Sequence, residues 1–236
     1  MNPKDHYGWI AARYESERFG CRCGAILNDV ELEIAEGMIT PGGKVLDAGA
    51  GTGRFSKAAS KIAGSVVAVD GARNMLAIAA ERVRDSEVPS KISLVVGDAE
   101  FLPFDAATFD TVLSVKLLSH YGDIGRYLSE MARVLKPEGR LILDVPHNLA
   151  RAFRKMVLKS SIRSSPDYFH PLSEIGGMLR DRSIYLVRRR TYSMLPISLV
   201  HRFLCRRDMV ASTSLLRLLI GSQRGFLCFV EGIKRQ

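Results

Sequence analysis

The chain has 236 residues, of which 47% are hydrophobic, so it can bury one core of ordinary size. It carries 34 Lys and Arg against 25 Asp and Glu, a formal charge of +9. Nothing in it approaches 18 consecutive uncharged apolar residues, and its first residues lack an apolar signal core. The sequence therefore predicts a single cytoplasmic domain and argues against a membrane-spanning or secreted protein.

The positive charge is concentrated in the last third of the chain. Residues 1–150 hold 17 Lys and Arg against 20 Asp and Glu, whereas residues 151–236 hold 17 against 5. Such asymmetry suggests an acidic partner, which could be a small anion, an anionic lipid surface or a nucleic acid, although a solvated basic face is the plainer alternative. The four cysteines, Cys21, Cys23, Cys205 and Cys228, lack metal-site spacing and are expected to be reduced, structural thiols.

The most informative segment is a strand, a glycine-rich turn and a helix over residues 44–59. An apolar strand leads into Asp47, Gly49, Gly51 and Gly53, and a helical pattern starts at residue 54. Glycines at such a turn let the backbone approach a ligand and point amide N–H groups at it. A dinucleotide fingerprint, G-x-G-x-x-G, would need its third glycine at position 54, which is Arg54.

Two further strands are predicted to end in carboxylates. Residues 65–69 form an apolar, β-branched run that ends at Asp70, about where a Rossmann-like half binds ribose hydroxyls. The alternative role for Asp70 is to cap the helix that begins at residues 72–75. A third strand, residues 91–96, leads into Asp98, Ala99 and Glu100, and here too a plain turn aspartate is the alternative.

The remaining elements of the core continue the alternation. Residues 109–115 predict a fourth strand, residues 127–135 a helix closed by 136–139, and residues 140–145 a fifth strand. Strands that alternate with helices of 10–15 residues predict a parallel sheet with helices on both faces.

The ordered segments resemble the class I S-adenosylmethionine-dependent methyltransferases, whose first motif is D-x-G-x-G-x-G. The pattern from Phe109-Asp110 to His120-Tyr121 and the N-terminal run 7–14 resemble the small-molecule, quinone-biosynthesis-like "type 11" group. The resemblance implies an α/β fold, a Rossmann-like doubly wound seven-stranded sheet that is mostly parallel with an antiparallel last strand. It also implies S-adenosyl-L-methionine as cofactor and S-adenosyl-L-homocysteine as product.

The same resemblance assigns the cofactor contacts. Asp70 would bind the ribose and Asp98 the adenine amino group, with Phe101 and Leu102 facing the ring. Lys116 departs from the apolar residue expected there, and it could meet the cofactor's carboxylate, an anionic substrate or solvent. The complete set expected to bind cofactor is Tyr14, Asp47, Gly49, Gly51, Thr52, Gly53, Asp70, Gly71, Met75, Asp98, Ala99, Glu100, Val115 and Lys116.

The domain organisation follows from this assignment. Residues 1–40 are expected to form lid helices whose tyrosines lie over the cofactor, and residues 41–147 the cofactor-binding core. A helix over 170–180, with Ser173 or His170 near its cap, and strands at 184–187 and 225–232 complete the fold. Two basic inserts, 148–165 and 196–221, are placed near the substrate side, either roofing the pocket, lying on a membrane or simply packing on the domain.

No catalytic motif stands out, because a sulfonium leaving group needs alignment more than activation. The candidate general bases are His120 and His147, in loops after the fourth and fifth strands. Asp144 ends the fifth strand, and two orientations are open for it, toward the pocket or toward solvent. The place of an N/D-P-P-Y/F/W motif is taken by residues 114–117, and no cysteine lies between positions 24 and 204. Amino-methylating enzymes of that type and cytosine C5 enzymes are thereby disfavoured, and no metal site is expected.

The sequence therefore predicts a methyltransferase that acts on a small-molecule or lipid-like acceptor, including anionic ones, with peripheral contact to an anionic membrane as a further expectation. An RNA methyltransferase that grips phosphates with its basic C-terminal third is the first alternative, and no appended RNA-binding motif supports it. A non-catalytic cofactor-binding protein of the same fold is the second. The acceptor atom and the oligomeric state are left open.

Overall fold

The computed structural model describes residues 3–146, 168–192, 217–218 and 227–236. In these ranges the helices are α1 (Pro3–Phe19), α2 (Arg22–Glu36), α3 (Arg54–Ser60), α4 (Arg73–Arg84), α5 (Gly125–Val134) and α6 (Leu172–Arg180). The strands are β1 (Lys44–Ala48), β2 (Ser65–Asp70), β3 (Ile92–Val96), β4 (Phe109–Ser114), β5 (Leu135–Pro146), β6 (Ile184–Tyr192) and β7 (Leu227–Lys234).

The strands form one seven-stranded sheet in the order β3-β2-β1-β4-β5-β7-β6. The β1 strand pairs in parallel with β2 and β4, and β3 and β5 extend the parallel part on either side. The β7 strand runs antiparallel to both β5 and β6. This arrangement confirms the predicted mixed sheet, and the strand order reverses between β1 and β4, which is where open α/β sheets bind ligands.

Both faces of the sheet are buried, as a parallel sheet requires. Successive residues of β1 point to opposite faces, and Val45 and Leu46 accordingly enter two different apolar clusters. The Leu46 cluster contains the inner side of α5, including Leu128 and Met131. The Val45 cluster contains α2 and Phe55 of α3. Burial on both faces fixes the strand positions and so fixes where the loops after each strand emerge.

Several element boundaries differ from the sequence prediction. The fifth strand begins at Leu135 because that residue pairs with Phe109, so the predicted turn at 136–139 lies inside β5. The sixth strand continues to Tyr192 because β7 supplies hydrogen-bond partners along its whole length. The N-cap residue of α6 is Pro171, between the two residues predicted near that cap, and it has no side-chain cap bond. The His170 side chain forms a hydrogen bond with the Tyr121 carbonyl at 2.8 Å.

Part of the predicted substrate side lies outside the described residues. The described ranges do not include His147, Cys205 or any part of the 148–165 insert. Of the 196–221 insert, they include only residues 217–218. Cys21, Cys23 and Cys228 are free thiols. Among the helices of the described ranges, none combines the length and apolar character needed to cross a bilayer.

One arginine fixes the loop after β3. The Arg133 guanidinium donates to the carbonyls of Phe104 (2.7 Å) and Leu102 (3.0 Å) and forms a two-pronged pair with Glu130. Glu130 in turn accepts the Leu102 amide at 2.9 Å. The planar fork of arginine matches this set of acceptors, so α5 holds the loop that contains Asp98.

We expect Arg133→Lys to lower the free energy of unfolding by about 1–3 kcal/mol, because one ammonium cannot replace the four hydrogen bonds of the guanidinium. Amide hydrogen exchange over residues 98–104 should accelerate more than exchange in β1. Arg84→Lys, at an exposed position at the end of α4, is the matched control and should change neither quantity. Equal behaviour of the two variants would contradict this role for Arg133.

Candidate active site

A cavity opens at the carboxyl ends of the parallel strands, with about 870 Å³ of empty space including its mouth. It spans the loops after β1, β2, β3 and β4, and α1 covers it. Eleven of the predicted cofactor residues line its wall: Tyr14, Gly49, Gly51, Thr52, Asp70, Gly71, Met75, Asp98, Ala99, Val115 and Lys116.

The glycine turn after β1 has the backbone that its sequence implies. Gly49, Gly51 and Gly53 all have positive φ angles, of 79°, 54° and 73°. A Cβ on Gly49 would lie 2.9 Å from Leu117, so glycine there allows the loop after β4 to pack closely on the turn. A Cβ on Gly51 would meet nothing within 4 Å. Gly51 therefore presents bare backbone to the cavity, whereas Gly53 faces Ala79 and is not part of the wall.

The Asp70 carboxylate joins two parts of the site. Its Oδ2 atom accepts the Gly51 amide at 2.8 Å, and its Oδ1 atom accepts the Ala72 amide at 2.7 Å. The carboxylate thus supports the glycine turn and the start of α4 while also facing the cavity. The N-cap residue of α4 is Ala72 and has no side-chain cap bond, so Asp70 is not a helix cap in the strict sense. Its role as a ligand-facing acid stays a prediction.

Asp47 lies beneath the turn and does not line the cavity. Only 1% of its surface is exposed, and its Oδ2 atom accepts the Ser56 hydroxyl at 2.6 Å. Burial raises the pKa of Asp47 to about 6, and the nearby negative charge of Asp70 acts in the same direction. Asp47 therefore supports the turn from below and has no direct route to a ligand.

The loop after β3 contributes Asp98 and Ala99 to the wall, but other residues of that segment point elsewhere. The Glu100 amide closes a short turn onto Asp98 Oδ1 at 3.1 Å, and Glu100 is absent from the wall. Leu102 is buried in the core, and Phe101 is exposed with Arg126 stacked 4.2 Å from its ring centre. Neither side chain faces the cavity, in contrast to the sequence-based expectation.

His120 and the first helix meet over the cavity. The Tyr7 hydroxyl of α1 lies 2.9 Å from His120 Nε2, and the two rings are 4.9 Å apart. His120 follows β4, so this contact joins the cover to the loop that faces Gly49. Of the two predicted general bases, His120 lines the cavity, and His147 lies outside the described residues.

A second contact ties α1 to the glycine turn. The Thr52 hydroxyl donates to Glu15 of α1, and Arg82 of α4 pairs with Glu15 at 3.1 Å and with the Thr52 hydroxyl at 3.3 Å. The Asn74 amide also donates to the Gly8 carbonyl at 2.9 Å. These contacts hold α1 closed across the site.

Sequence reasoning missed ten wall residues, some of them chain neighbours of predicted site residues and others brought in by packing between distant elements. They are Pro3, Ala50, Arg54, Phe55, Val69, Ala72, Gly97, Leu117, Tyr121 and Tyr127. Tyr121 and Tyr127 stack with their ring centres 4.5 Å apart, and with Tyr7 and Tyr14 they make one side of the cavity aromatic. Tyrosines at these spacings carry no local signal that separates them from ordinary core residues.

The fold and this cavity together define the class of protein: a Rossmann-like methyltransferase architecture. The sequence profile described as "Methyltransferase domain" matches residues 46–143. Residues 46–143 are thus similar to methyltransferase domains, the class of domain that the sequence motifs predict. A curated relative, the ubiquinone/menaquinone biosynthesis C-methyltransferase of Vibrio cholerae, is 34% identical over 143 residues, which cover 59% of this chain and 52% of the relative. The chain spans about half the length of the curated relatives that it matches.

Solved structures show the same fold over most of the chain. A Thermotoga maritima protein described as an S-adenosylmethionine-dependent methyltransferase superposes with a TM-score of 0.67 at 22% identity and covers 97% of this chain and 98% of its own. The magnesium protoporphyrin IX methyltransferase of Synechocystis, solved with bound S-adenosylhomocysteine, has a TM-score of 0.61 at 19% identity, covering 90% and 83%. At these identities the likeness concerns the fold.

The residues present fit the cofactor of this family. Gly51 leaves a bare backbone surface where any side chain would enter the cavity, and acids stand at the ends of β2 and just after β3.

We expect Gly51→Ala to abolish or strongly weaken binding of S-adenosylhomocysteine, because its Cβ would project into the cavity. Gly42→Ala is the matched control: Gly42 also has a positive φ angle, of 70°, and open space around its Cβ, but it precedes β1 at the opposite end of the strand. Both variants should lose on the order of 1 kcal/mol of stability through the left-handed backbone. Calorimetric titration should find lost binding in Gly51→Ala alone; an equal loss in both would attribute the effect to strain.

The raised pKa of Asp47 predicts a pH dependence. The folded protein keeps the Asp47 proton up to about pH 6, whereas the ordinary value is 3.8, so deprotonation opposes folding as the pH rises between these values. Asp47→Asn keeps an acceptor for Ser56 and removes this effect. Relative to wild type, the variant should gain on the order of 2–3 kcal/mol of stability between pH 4 and pH 7. Chemical denaturation at both pH values measures it, and a constant difference between the proteins would refute the assignment.

Proposed function

We propose that this protein transfers a methyl group from S-adenosylmethionine to a small-molecule acceptor, with His120 as the general base. The observation that carries the proposal is a single cavity in which the glycine turn, Asp70 and Asp98 line one part and His120 with an aromatic wall lines another. Cofactor-binding and proton-accepting groups thus share one space, as group transfer requires.

Asp70, Asp98 and Met75 are assigned to the nucleoside. Asp70 is positioned to accept from ribose hydroxyls while it supports the turn, since a carboxylate accepts several hydrogen bonds at once. Asp98 accepts from the adenine amino group, and the buried Met75 side chain offers an apolar surface beneath the base. Gly49, Gly51 and Thr52 contact the remainder of the cofactor through the turn.

When bound, the cofactor supplies an electrophilic methyl group on a sulfonium, which leaves as a neutral thioether. The protein has to align the acceptor, exclude water and remove a proton where the acceptor has one. The aromatic wall of Tyr7, Tyr14, Tyr121 and Tyr127 excludes water and presents electron-rich faces to a positive charge. Because α1 contributes two of these rings, its closed position completes the site.

We assign to His120 the removal of a proton from the acceptor. Imidazole titrates near neutral pH, and its Nε2 atom lies against the Tyr7 hydroxyl at the cavity wall. Tyr7 then acts as a positioning residue that holds the ring, since the hydroxyl can donate to a neutral imidazole or accept from a protonated one. An acceptor with a weakly acidic O–H or C–H group suits a base of this strength.

The acceptor class follows from the wall and the relatives. Planar aromatic compounds suit the aromatic side of the cavity, and the curated relatives include quinone-biosynthesis C-methyltransferases and a demethylmenaquinone methyltransferase. We infer a phenol- or quinol-like acceptor, small or lipid-like. The basic balance of residues 151–236 supports delivery from an anionic surface, while an RNA substrate is supported by charge alone.

The proposal predicts separate effects on binding and turnover. Asp70→Asn places an amide N–H₂ against the Gly51 or Ala72 N–H, so affinity for S-adenosylhomocysteine should fall by roughly 10- to 100-fold. His120→Asn should leave that affinity unchanged and lower the rate of methyl transfer to reduced demethylmenaquinone by about 100-fold or more. Calorimetry measures the first effect, and transfer of a labelled methyl group measures the second.

Asp105→Asn, at an exposed position remote from the cavity wall, is the control for both measurements. Tyr7→Phe should lower turnover less than His120→Asn and shift its pH profile, because it removes the hydroxyl that holds the imidazole. Wild-type protein that binds S-adenosylhomocysteine but methylates neither demethylmenaquinol nor simple phenols would favour the non-catalytic alternative. Failure to bind the cofactor at all would overturn the proposal.

A further inference from the structure

The cavity is electrically asymmetric along its length. Asp70 and Asp98 line it at the ends of β2 and β3, whereas Lys116 and Arg54 line it beside β4. Lys116 and Arg54 belong to a group of charged and polar side chains from α2, α3, β5, β6 and the loop after β4. We refer to this group, Glu31, Arg54, Lys116, Asp144 and Tyr192, as the β4-end cluster.

Lys116 is held in an unfavourable backbone conformation. Its φ angle is +60°, a region that residues other than glycine, asparagine and aspartate seldom adopt. Asp144, near the end of β5, accepts the Lys116 amide through Oδ1 at 2.6 Å and the ammonium through Oδ2 at 2.7 Å. Asp144 thus binds both the backbone and the ammonium of the strained Lys116 and keeps the ammonium at the cavity wall. Backbone strain of this kind in a cleft points to a functional role.

The carboxylates of the cluster stand behind its cations. Glu31 is fully buried, pairs with Arg54 at 2.9 Å and lies 3.6 Å from the Lys116 ammonium. Burial alone would raise its pKa, but Lys116, Arg54 and Arg18 together lower the pKa of Glu31 to about 2. Tyr192 donates its hydroxyl to Glu31 at 3.0 Å and lies 3.4 Å from the Lys116 ammonium. Glu31 therefore stays ionised and fixes the cations from the buried side.

The cluster keeps donor capacity on the cavity side. An ammonium has three N–H donors, and within the described residues the Lys116 ammonium has two hydrogen-bond acceptors, Asp144 and Tyr192. Arg18, at the end of α1, acts electrostatically on Glu31, Asp144 and Tyr192. Its buried Nε atom has no hydrogen-bond partner in the part of the chain that the structure describes.

We propose that the β4-end cluster is a carboxylate-binding subsite, with Lys116 as its principal donor. The inference rests on the proposed function, since it concerns the same cavity. An ammonium at the cavity wall with a donor left over is best matched by an anion, because a charge-assisted hydrogen bond to a carboxylate satisfies both the charge and the donor. A ligand with hydroxyl or amino groups at one end and a carboxylate at the other complements the polarity of the cavity.

Two molecules can bring this carboxylate to the site. One is the cofactor, whose amino-acid part ends in a carboxylate, and the other is an acidic acceptor. Lys116→Met removes the ammonium and keeps the apolar stem. Lys116→Gly removes the whole side chain and relieves the positive φ angle, which offsets part of the cost of leaving Asp144 without its ammonium partner. Lys136→Met, which breaks the 2.8 Å pair with Asp110 by the start of β4, is the matched control.

The first arm compares S-adenosylhomocysteine with 5′-methylthioadenosine, which keeps the nucleoside and sulfur but lacks the amino-acid part. If the cofactor supplies the carboxylate, both Lys116 variants should bind S-adenosylhomocysteine about 10- to 100-fold more weakly and 5′-methylthioadenosine as wild type does. The second arm titrates 4-hydroxybenzoate and 4-hydroxybenzyl alcohol into protein saturated with S-adenosylhomocysteine. If the acceptor supplies the carboxylate, the variants should lose binding of 4-hydroxybenzoate but bind 4-hydroxybenzyl alcohol as wild type does.

The outcomes separate this inference from the proposed function. Unchanged affinities for all four ligands in both Lys116 variants would overturn the carboxylate subsite and leave the proposed function standing. Equal losses for S-adenosylhomocysteine and 5′-methylthioadenosine would also overturn it, because the effect would then not depend on a carboxylate. Wild-type protein that binds neither nucleoside would overturn both. The Lys136→Met control should match wild type throughout.

Discussion

The site depends on one bridge: the carboxylate of Asp70 accepts the amide of Gly51 from one side and that of Ala72 from the other. This carboxylate ties the left-handed turn after β1 to the start of α4. The bridge is possible because β1 and β2 are parallel neighbours, so that their carboxyl ends emerge side by side. Buried amides that are paired in this way keep a fixed geometry, and that fixed geometry is what a bound nucleoside requires.

Around this bridge the chain buries an unusual number of charges. Isolated buried charges are costly, and three of the carboxylates here have partners: Asp47 accepts the Ser56 hydroxyl, Glu31 pairs with Arg54, and Asp144 pairs with Lys116. Such pairs contribute little net stability, but they prevent alternative side-chain arrangements. The charged pairs therefore mainly fix the positions of the side chains around the site. The two apolar clusters on the faces of the sheet supply most of the stability.

The first helix contacts both sides of the cavity. It contributes Tyr7 and Tyr14 to the wall, contacts His120 on the β4 side and contacts Thr52 through Glu15 on the β1 side. Both loops that flank the reversal of strand order are thus tied to one cover. The fold by itself does not decide the chemistry, since one architecture can host many reactions. The assignment of methyl transfer rests on the cofactor set together with the base and the aromatic wall.

The sequence by itself determined the sheet class, the strand-ending acids and the glycine turn, because these features are local: a β-branched run, a required left-handed backbone and a fixed spacing between them. It also placed Tyr14 and His120 at the site through motif order. Only the tertiary structure decided that Asp47, Gly53 and Glu100 stand outside the cavity wall while Arg54, Tyr121 and Tyr127 line it. It alone showed that Lys116, Asp144, Glu31 and Tyr192 converge, since these residues lie up to 161 positions apart and meet through packing across the sheet. Periodicity reports which face of an element is buried, but not which distant side chains share the space.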